Sequence, residues 1–171
     1  MSPSQTLHLT WLDEAACAST AKSLARHPAL DDACIELYGP LGAGKTTFVR
    51  HLLHALGVPG RIKSPTYALM EPYELARPQG PLHIWHFDFY RFEDAQEWED
   101  AGFRELYASI GLKLAEWPER AAGLLPPADL RIHIEPQEPA RRDDVGTAAP
   151  SNEPRHVHLE ARSARGVELL A

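Results

Sequence analysis

Gly39-Pro40-Leu41-Gly42-Ala43-Gly44-Lys45-Thr46 decides the fold. It matches G-x-x-x-x-G-K-[ST], the pattern of a phosphate-binding loop. Glycines at these places let backbone N–H groups turn inward around an anion with no Cβ in the way. The helix that follows aims its positive end at the same phosphates. The side chain of Lys45 reaches the terminal phosphate oxygens as a point charge, the Thr46 hydroxyl is placed to ligate Mg²⁺, and Thr47 can touch a more distal phosphate. An ordinary strand–turn–helix glycine loop is the alternative. Context argues against it, because the motif follows an apolar strand pattern over 33–38 and opens a helical one over 45–56.

Outward from the loop, the chain alternates between strand and helix patterns. Residues 6–11 read as a strand, and Asp13 as the N-cap of a helix whose apolar positions are Ala16, Thr20, Ala21 and Leu24, closed by Pro28. The face of the 45–56 helix is Phe48, Leu52, Leu53 and Leu56, with Gly57 as its stop. Further strands are expected over 67–71, 82–87, 112–117, 129–135 and 155–161. Helices are expected over 93–109, broken near Gly102, and over 163–170. Residues 136–154 are rich in Pro, Asp, Glu and Ala without periodicity, and read as an exposed, mobile loop that includes the charge run Arg141-Arg142-Asp143-Asp144. The fold class is therefore α/β: a single-domain P-loop NTPase over 1–171, its largely parallel sheet flanked by helices and extended by antiparallel strands.

Composition sets the outer limits. The 171 residues suit one domain with one proper core, and a 44% hydrophobic share excludes a chain disordered throughout. Seventeen Lys and Arg against 24 Asp and Glu give a net charge of −7, which speaks against gripping nucleic acid by bulk electrostatics. No apolar run approaches the ~20 residues of a membrane helix, and the N-terminus lacks the pattern of a signal peptide. Cys17 and Cys34 sit in apolar company and read as two buried free thiols of a cytoplasmic protein.

Two carboxylates end apolar strands, Asp88 after 82–87 and Glu116 after 112–115. In a fold whose strand ends converge on a nucleotide, they are candidates for the Mg²⁺ site and for orienting water, and which acid does which stays open. Thr66 in Ser64-Pro65-Thr66 is either a switch-like sensor of the terminal phosphate or a capping hydroxyl in a proline turn. His156 and His158 share a strand face, with His133 nearby, but no cysteine or acidic ligand set joins them.

Taken in order and spacing, the segments 39–47, Ser64-Pro65-Thr66-Tyr67, His86-Phe87-Asp88-Phe89-Tyr90-Arg91 and Glu116-Trp117-Pro118 resemble the bacterial tRNA threonylcarbamoyladenosine biosynthesis ATPases, the TsaE family. The resemblance runs over about 7–135 and resumes over 155–170. It implies a slow Mg²⁺-dependent ATPase that works with TsaD and TsaB, the pair that transfers a threonylcarbamoyl group to an adenosine of tRNA. By matching positions, Lys45, Thr66, Asp88 and Glu116 are the catalytic set. Leu41, Gly42, Ala43, Gly44, Lys45, Thr46, Thr47 and Trp117 contact ATP, and Thr46, Asp88 and Glu116 surround Mg²⁺. The family's nucleotide contacts also include the start of the first helix, here Asp13 and Glu14, and a C-terminal arginine, here Arg155. Pro40 stands where the family commonly has aspartate, which removes one side-chain contact and stiffens the loop. Other occupations of such a loop are a small-metabolite kinase, for which no ordered lid with an arginine cluster is visible, and a non-catalytic ATP-gated binding module. The acidic balance adds the expectation that the chain serves tRNA chemistry with no tight tRNA binding of its own.

Overall fold

The computed structural model describes residues 4–137 and 153–171. The strands are β1 (Gln5–Trp11), β2 (Cys34–Tyr38), β3 (Met70–Leu75), β4 (Leu82–Asp88), β5 (Leu112–Glu116), β6 (Leu130–Pro136) and β7 (Arg155–Ala161). The helices are α1 (Glu14–Ala25), α2 (Lys45–Leu56), α3 (Ala95–Asp100), α4 (Phe103–Ala108) and α5 (Ala164–Leu170). Most of the 136–154 loop, and with it the Arg141-Arg142-Asp143-Asp144 run, lies outside the described residues.

Local chemistry explains the boundaries. The Asp13 carboxylate accepts from the Ala16 N–H at 2.9 Å and starts α1. Asp94 and Glu97 form a reciprocal capping box at the start of α3. Two expectations shift. The helix α1 ends at Ala25, because the residue before Pro28 is held extended and Pro28 opens a short 3₁₀ turn of its own. Strand β3 begins at Met70 rather than at residue 67. Leu69 adopts a left-handed φ of 64° and its N–H donates to the Pro65 carbonyl at 2.7 Å, so the chain is still turning there.

One seven-stranded sheet runs in the order β1-β7-β6-β2-β5-β4-β3. The four central strands β6, β2, β5 and β4 are mutually parallel, while β3, β7 and β1 add antiparallel margins. The chain leaves β2 toward β5 and β4 on one side and later places β6 on the other. The end of β2 is thus the switch point where α/β sheets open a crevice. Strand β3 is an edge that carries Glu71, Pro72 and Glu74, whereas the opposite edge, β1, has neither proline nor acid.

Each face of the sheet has its own apolar core. On one side Ile35, Leu37, Ile84 and Leu114 pack under α1 and α2 through Cys17, Ala21, Leu24, Phe48, Leu52 and Leu53. On the other, Phe87, Phe89, Phe92, Trp98, Phe103 and Tyr107 join β4 to α3 and α4. Their rings meet at edges and tilts, such as Phe87 against Phe103 at 5.1 Å and 89°. Thr20, expected on the apolar face of α1, is only half-buried and accepts a hydrogen bond from the Trp11 indole at 2.9 Å. Cys17 and Cys34 are free thiols, Cys17 buried and Cys34 half-buried, and burial raises them to about 12 and about 11. Among the described residues no helix is long and apolar enough to cross a membrane.

Candidate functional site

The loop between β2 and α2 is shaped by two glycines. At Gly39 a Cβ would lie 2.5 Å from the Ile134 carbonyl oxygen and 3.0 Å from the Ala43 Cβ, so only glycine lets the loop pass β6. Gly44 takes φ 110°, turning the chain into α2. Lys45 is buried at the start of that helix. Its ammonium donates to the Gly39 carbonyl and, at 3.1 Å, to that of Pro40, and lies 3.9 Å over the Trp117 ring. Burial lowers its pKa, while Glu116, Glu119 and Asp88 pull it back up.

Parallel pairing sets Asp88 at the end of β4 beside Glu116 at the end of β5, both facing the loop. Their surroundings differ. One oxygen of Glu116 accepts from the Thr46 hydroxyl at 2.7 Å, and the other meets the His86 Nε2 at 2.6 Å. Asp88 instead accepts from the Ser64 hydroxyl, from the Thr66 hydroxyl at 3.4 Å and from the Tyr90 N–H at 2.9 Å. One acid is tied to the phosphate loop and the other to the loop around Pro65. Trp117, directly after Glu116, adopts a left-handed φ of 56° and lies 5.0 Å from the Tyr90 ring.

These groups line a cleft of about 320 Å³ that brings together Leu41, Gly42, Ala43, Gly44, Lys45, Thr46, Thr47, Thr66, Asp88, Glu116 and Trp117. A second, narrower recess opens across the loop, sharing Ala43, Gly44 and Thr47 with the first, and it gathers Asp13, Glu14 and Arg155. The buried Arg155 guanidinium donates to the Ala43 carbonyl at 3.0 Å and fastens β7 to the loop. Glu14 is held by His51 at 2.9 Å. Every catalytic, nucleotide or Mg²⁺ position expected from the resemblance therefore lies in one of two adjoining hollows.

Four residues of this region are given no site role by the sequence reading. Ser64 and Tyr90 flank predicted positions, and they act through the carboxylate of Asp88. Trp11 walls the second recess at the end of β1, beside the predicted Asp13. His86 is visible only through strand parity, which puts it on the Asp88 face of β4, next to Glu116 of β5.

The donors at the cleft are hydroxyl and carboxylate oxygens, the hard set that suits Mg²⁺. Among the described residues no three His, Cys, Asp or Glu side chains converge as a metal site. A cation here would be held by Thr46 and Glu116 and completed by the oxygens of its own ligand. The His133 and His158 rings stack face to face at 4.3 Å and 8°.

A family model described as "Threonylcarbamoyl adenosine biosynthesis protein TsaE" matches residues 12–143. The tRNA threonylcarbamoyladenosine biosynthesis protein TsaE of Haemophilus influenzae is 42% identical over 111 residues, covering 65% of this chain and 68% of the relative. Its Bacillus subtilis counterpart is 36% identical over 114 residues, covering 67% and 68%. The crystal structure of Bacillus subtilis YdiB superposes with a TM-score of 0.69 at 24% identity, covering 99% of this chain and 95% of that one.

Proposed function

Because this chain belongs to the TsaE family of threonylcarbamoyl adenosine biosynthesis proteins, we propose that it is a Mg²⁺-dependent ATPase that couples nucleotide turnover to the TsaD and TsaB proteins in tRNA modification. The observation that carries the reading is the convergence of Lys45, Thr46, Glu116 and Asp88 on one cleft at the C-terminal ends of parallel strands. Thr46 and Glu116 would hold Mg²⁺, which would supply charge neutralisation at the phosphates. Lys45 leaves the carbonyls of Gly39 and Pro40 and turns its charge onto the phosphates. Asp88, steadied by Ser64, Thr66 and the Tyr90 N–H, faces the terminal phosphate side, where a water is to be oriented. The loop around Pro65 is thereby attached to the acid nearest the group that is lost on hydrolysis. The purine lies toward Trp11, Asp13 and Glu14, with Arg155 holding that recess to the phosphate loop.

Turnover by the isolated chain is expected to be slow, since no arginine is among the described residues that line the cleft. Arg155 is bound to the Ala43 carbonyl, and Arg91 packs on the Tyr67 ring at 4.4 Å. An arginine supplied by a partner adds about 10³–10⁵ in rate to such a site. The two free thiols agree with a cytoplasmic setting. The net charge of −7 leaves contact with tRNA to the partners.

Phosphate release from Mg·ATP is measured alone, with TsaD and TsaB, and with small-molecule acceptors, for wild type, Lys45→Ala and Glu116→Ala. Partner-stimulated release that both variants lose supports the reading. ADP formation that depends on an added acceptor overturns it in favour of a kinase. Full support of the partners by a Glu116→Ala protein that binds ATP without turnover overturns it in favour of a nucleotide-gated module.

A further inference from the structure

His86 is fully buried in the middle of the sheet, on the face of β4 that carries Ile84 and Asp88, and its register partner is Leu114 of β5. An imidazole in such apolar company costs stability unless both nitrogens are satisfied. Only one is. Nε2 lies 2.6 Å from the Glu116 carboxylate, while Nδ1 is the one side-chain polar atom among the described residues that is buried without a partner. An aliphatic side chain would fit the core chemistry of this position better, so the contact with Glu116 is what distinguishes histidine here.

The hydrogen-bond pattern places one proton. A carboxylate only accepts, so Nε2 is the nitrogen that donates to Glu116. The bond pins one oxygen of Glu116 and leaves the other facing the Thr46 hydroxyl at 2.7 Å. Without it only the hydrogen bond from the Thr46 hydroxyl restrains the carboxylate against rotation about its terminal bond, a soft torsion. We propose that His86 is a positioning residue that fixes the Glu116 carboxylate, so that one defined oxygen is presented with Thr46 to the divalent cation. This rests on the assignment of Thr46 and Glu116 as the residues that hold that cation. It gives His86 a role in metal affinity rather than in nucleotide affinity, since no atom of His86 lines the cleft.

The test uses the full chain with ADP and Mn²⁺ as the probe metal, reading free Mn²⁺ by electron paramagnetic resonance. ADP affinity in a chelator and the thermal midpoint are measured alongside. For His86→Leu the Mn²⁺ dissociation constant is expected to rise about 10–100-fold, the usual effect of losing a hydrogen bond behind a ligand, with metal-free ADP affinity unchanged. In His86→Gln the side-chain amide can stand in for Nε2–H, so most of the affinity should return. In His86→Asn the shorter amide cannot, so the Gln–Asn difference decides even where the leucine variant does not fold. If Glu116→Ala loses Mn²⁺ while His86→Leu and His86→Asn bind it like wild type, positioning by His86 is refuted and the metal site stands. If Glu116→Ala itself keeps wild-type Mn²⁺ affinity, the metal-site assignment is refuted. Equal losses of Mn²⁺ and of metal-free ADP in the His86 variants, with no recovery by Gln, reduce His86 to a packing residue.

Discussion

Lys45 is the residue whose surroundings must change most when a nucleotide arrives. In the free protein, burial holds its ammonium below the ordinary lysine value of 10.5, against the pull of Glu116, Glu119 and Asp88. Phosphates add negative charge in direct contact and raise it. Between the two values binding takes up a proton, so nucleotide affinity falls as pH rises through the free-state value. Calorimetry in buffers of different ionisation enthalpy should show this uptake on the alkaline side, and Lys45→Arg, charged throughout, should show none. Lys45 and Thr46 are legible in the sequence because their meaning is local: eight consecutive residues carry loop, charge and hydroxyl. Asp88 and Glu116 are legible as strand ends, and their division of labour is not. It depends on Ser64, Tyr90 and His86, which reach them through space. Trp117 shows the same limit, because nothing in Glu116-Trp117-Pro118 announces a left-handed tryptophan stacked beneath the lysine.

The elements α3 and α4 are short, six residues each, and their own hydrogen bonds cannot hold them. What keeps them in place is the aromatic layer against β4, in which Phe103 meets Phe87, Phe89 and Trp98. Phe103→Ala should therefore cost about 3–5 kcal/mol in urea unfolding. In the fraction that remains folded, nucleotide binding should persist, because the P-loop core lies on the other face of the sheet. The break between these helices was readable from Gly102, and α2 from its apolar spacing and Gly57. The start of β3 was not. Its β-forming residues extend back to Tyr67, and only the Pro65–Leu69 hydrogen bond, a feature of the folded loop, delays the strand to Met70.

Across the whole sheet, strand order creates a feature that no single segment contains. Tyr38, His133, His158 and His8 stand in file over β2, β6, β7 and β1, with ring centres 4.7, 4.3 and 5.8 Å apart. Burial, and then the neighbouring His158, lower the pKa of His133 below 6.5, with Arg131 acting in the same sense and Glu160 and Glu135 opposing. The unfolded chain thus holds the proton more tightly, and stability present above the unfolded value is lost as pH falls through it. Urea midpoints at about pH 7.5 and about pH 5.5 should show the acid loss in wild type and a smaller one in His133→Phe. The parity of His156 and His158 was legible. The nearness of His133 was legible too, but the full file of four rings was not, because it needs β7 to insert between β1 and β6.

The unequal margins of that sheet carry a last consequence, one of symmetry. On the β3 side, Pro72 has no N–H to offer, and Glu71 and Glu74 would face like charges on any identical strand laid against them. On the β1 side the strand residues Gln5–Trp11 include neither proline nor acid. Two copies of this chain paired β1 to β1 would meet through that margin alone. Each then uses the same surface, the pair is related by a two-fold axis, and the association closes at two molecules instead of running on into a filament.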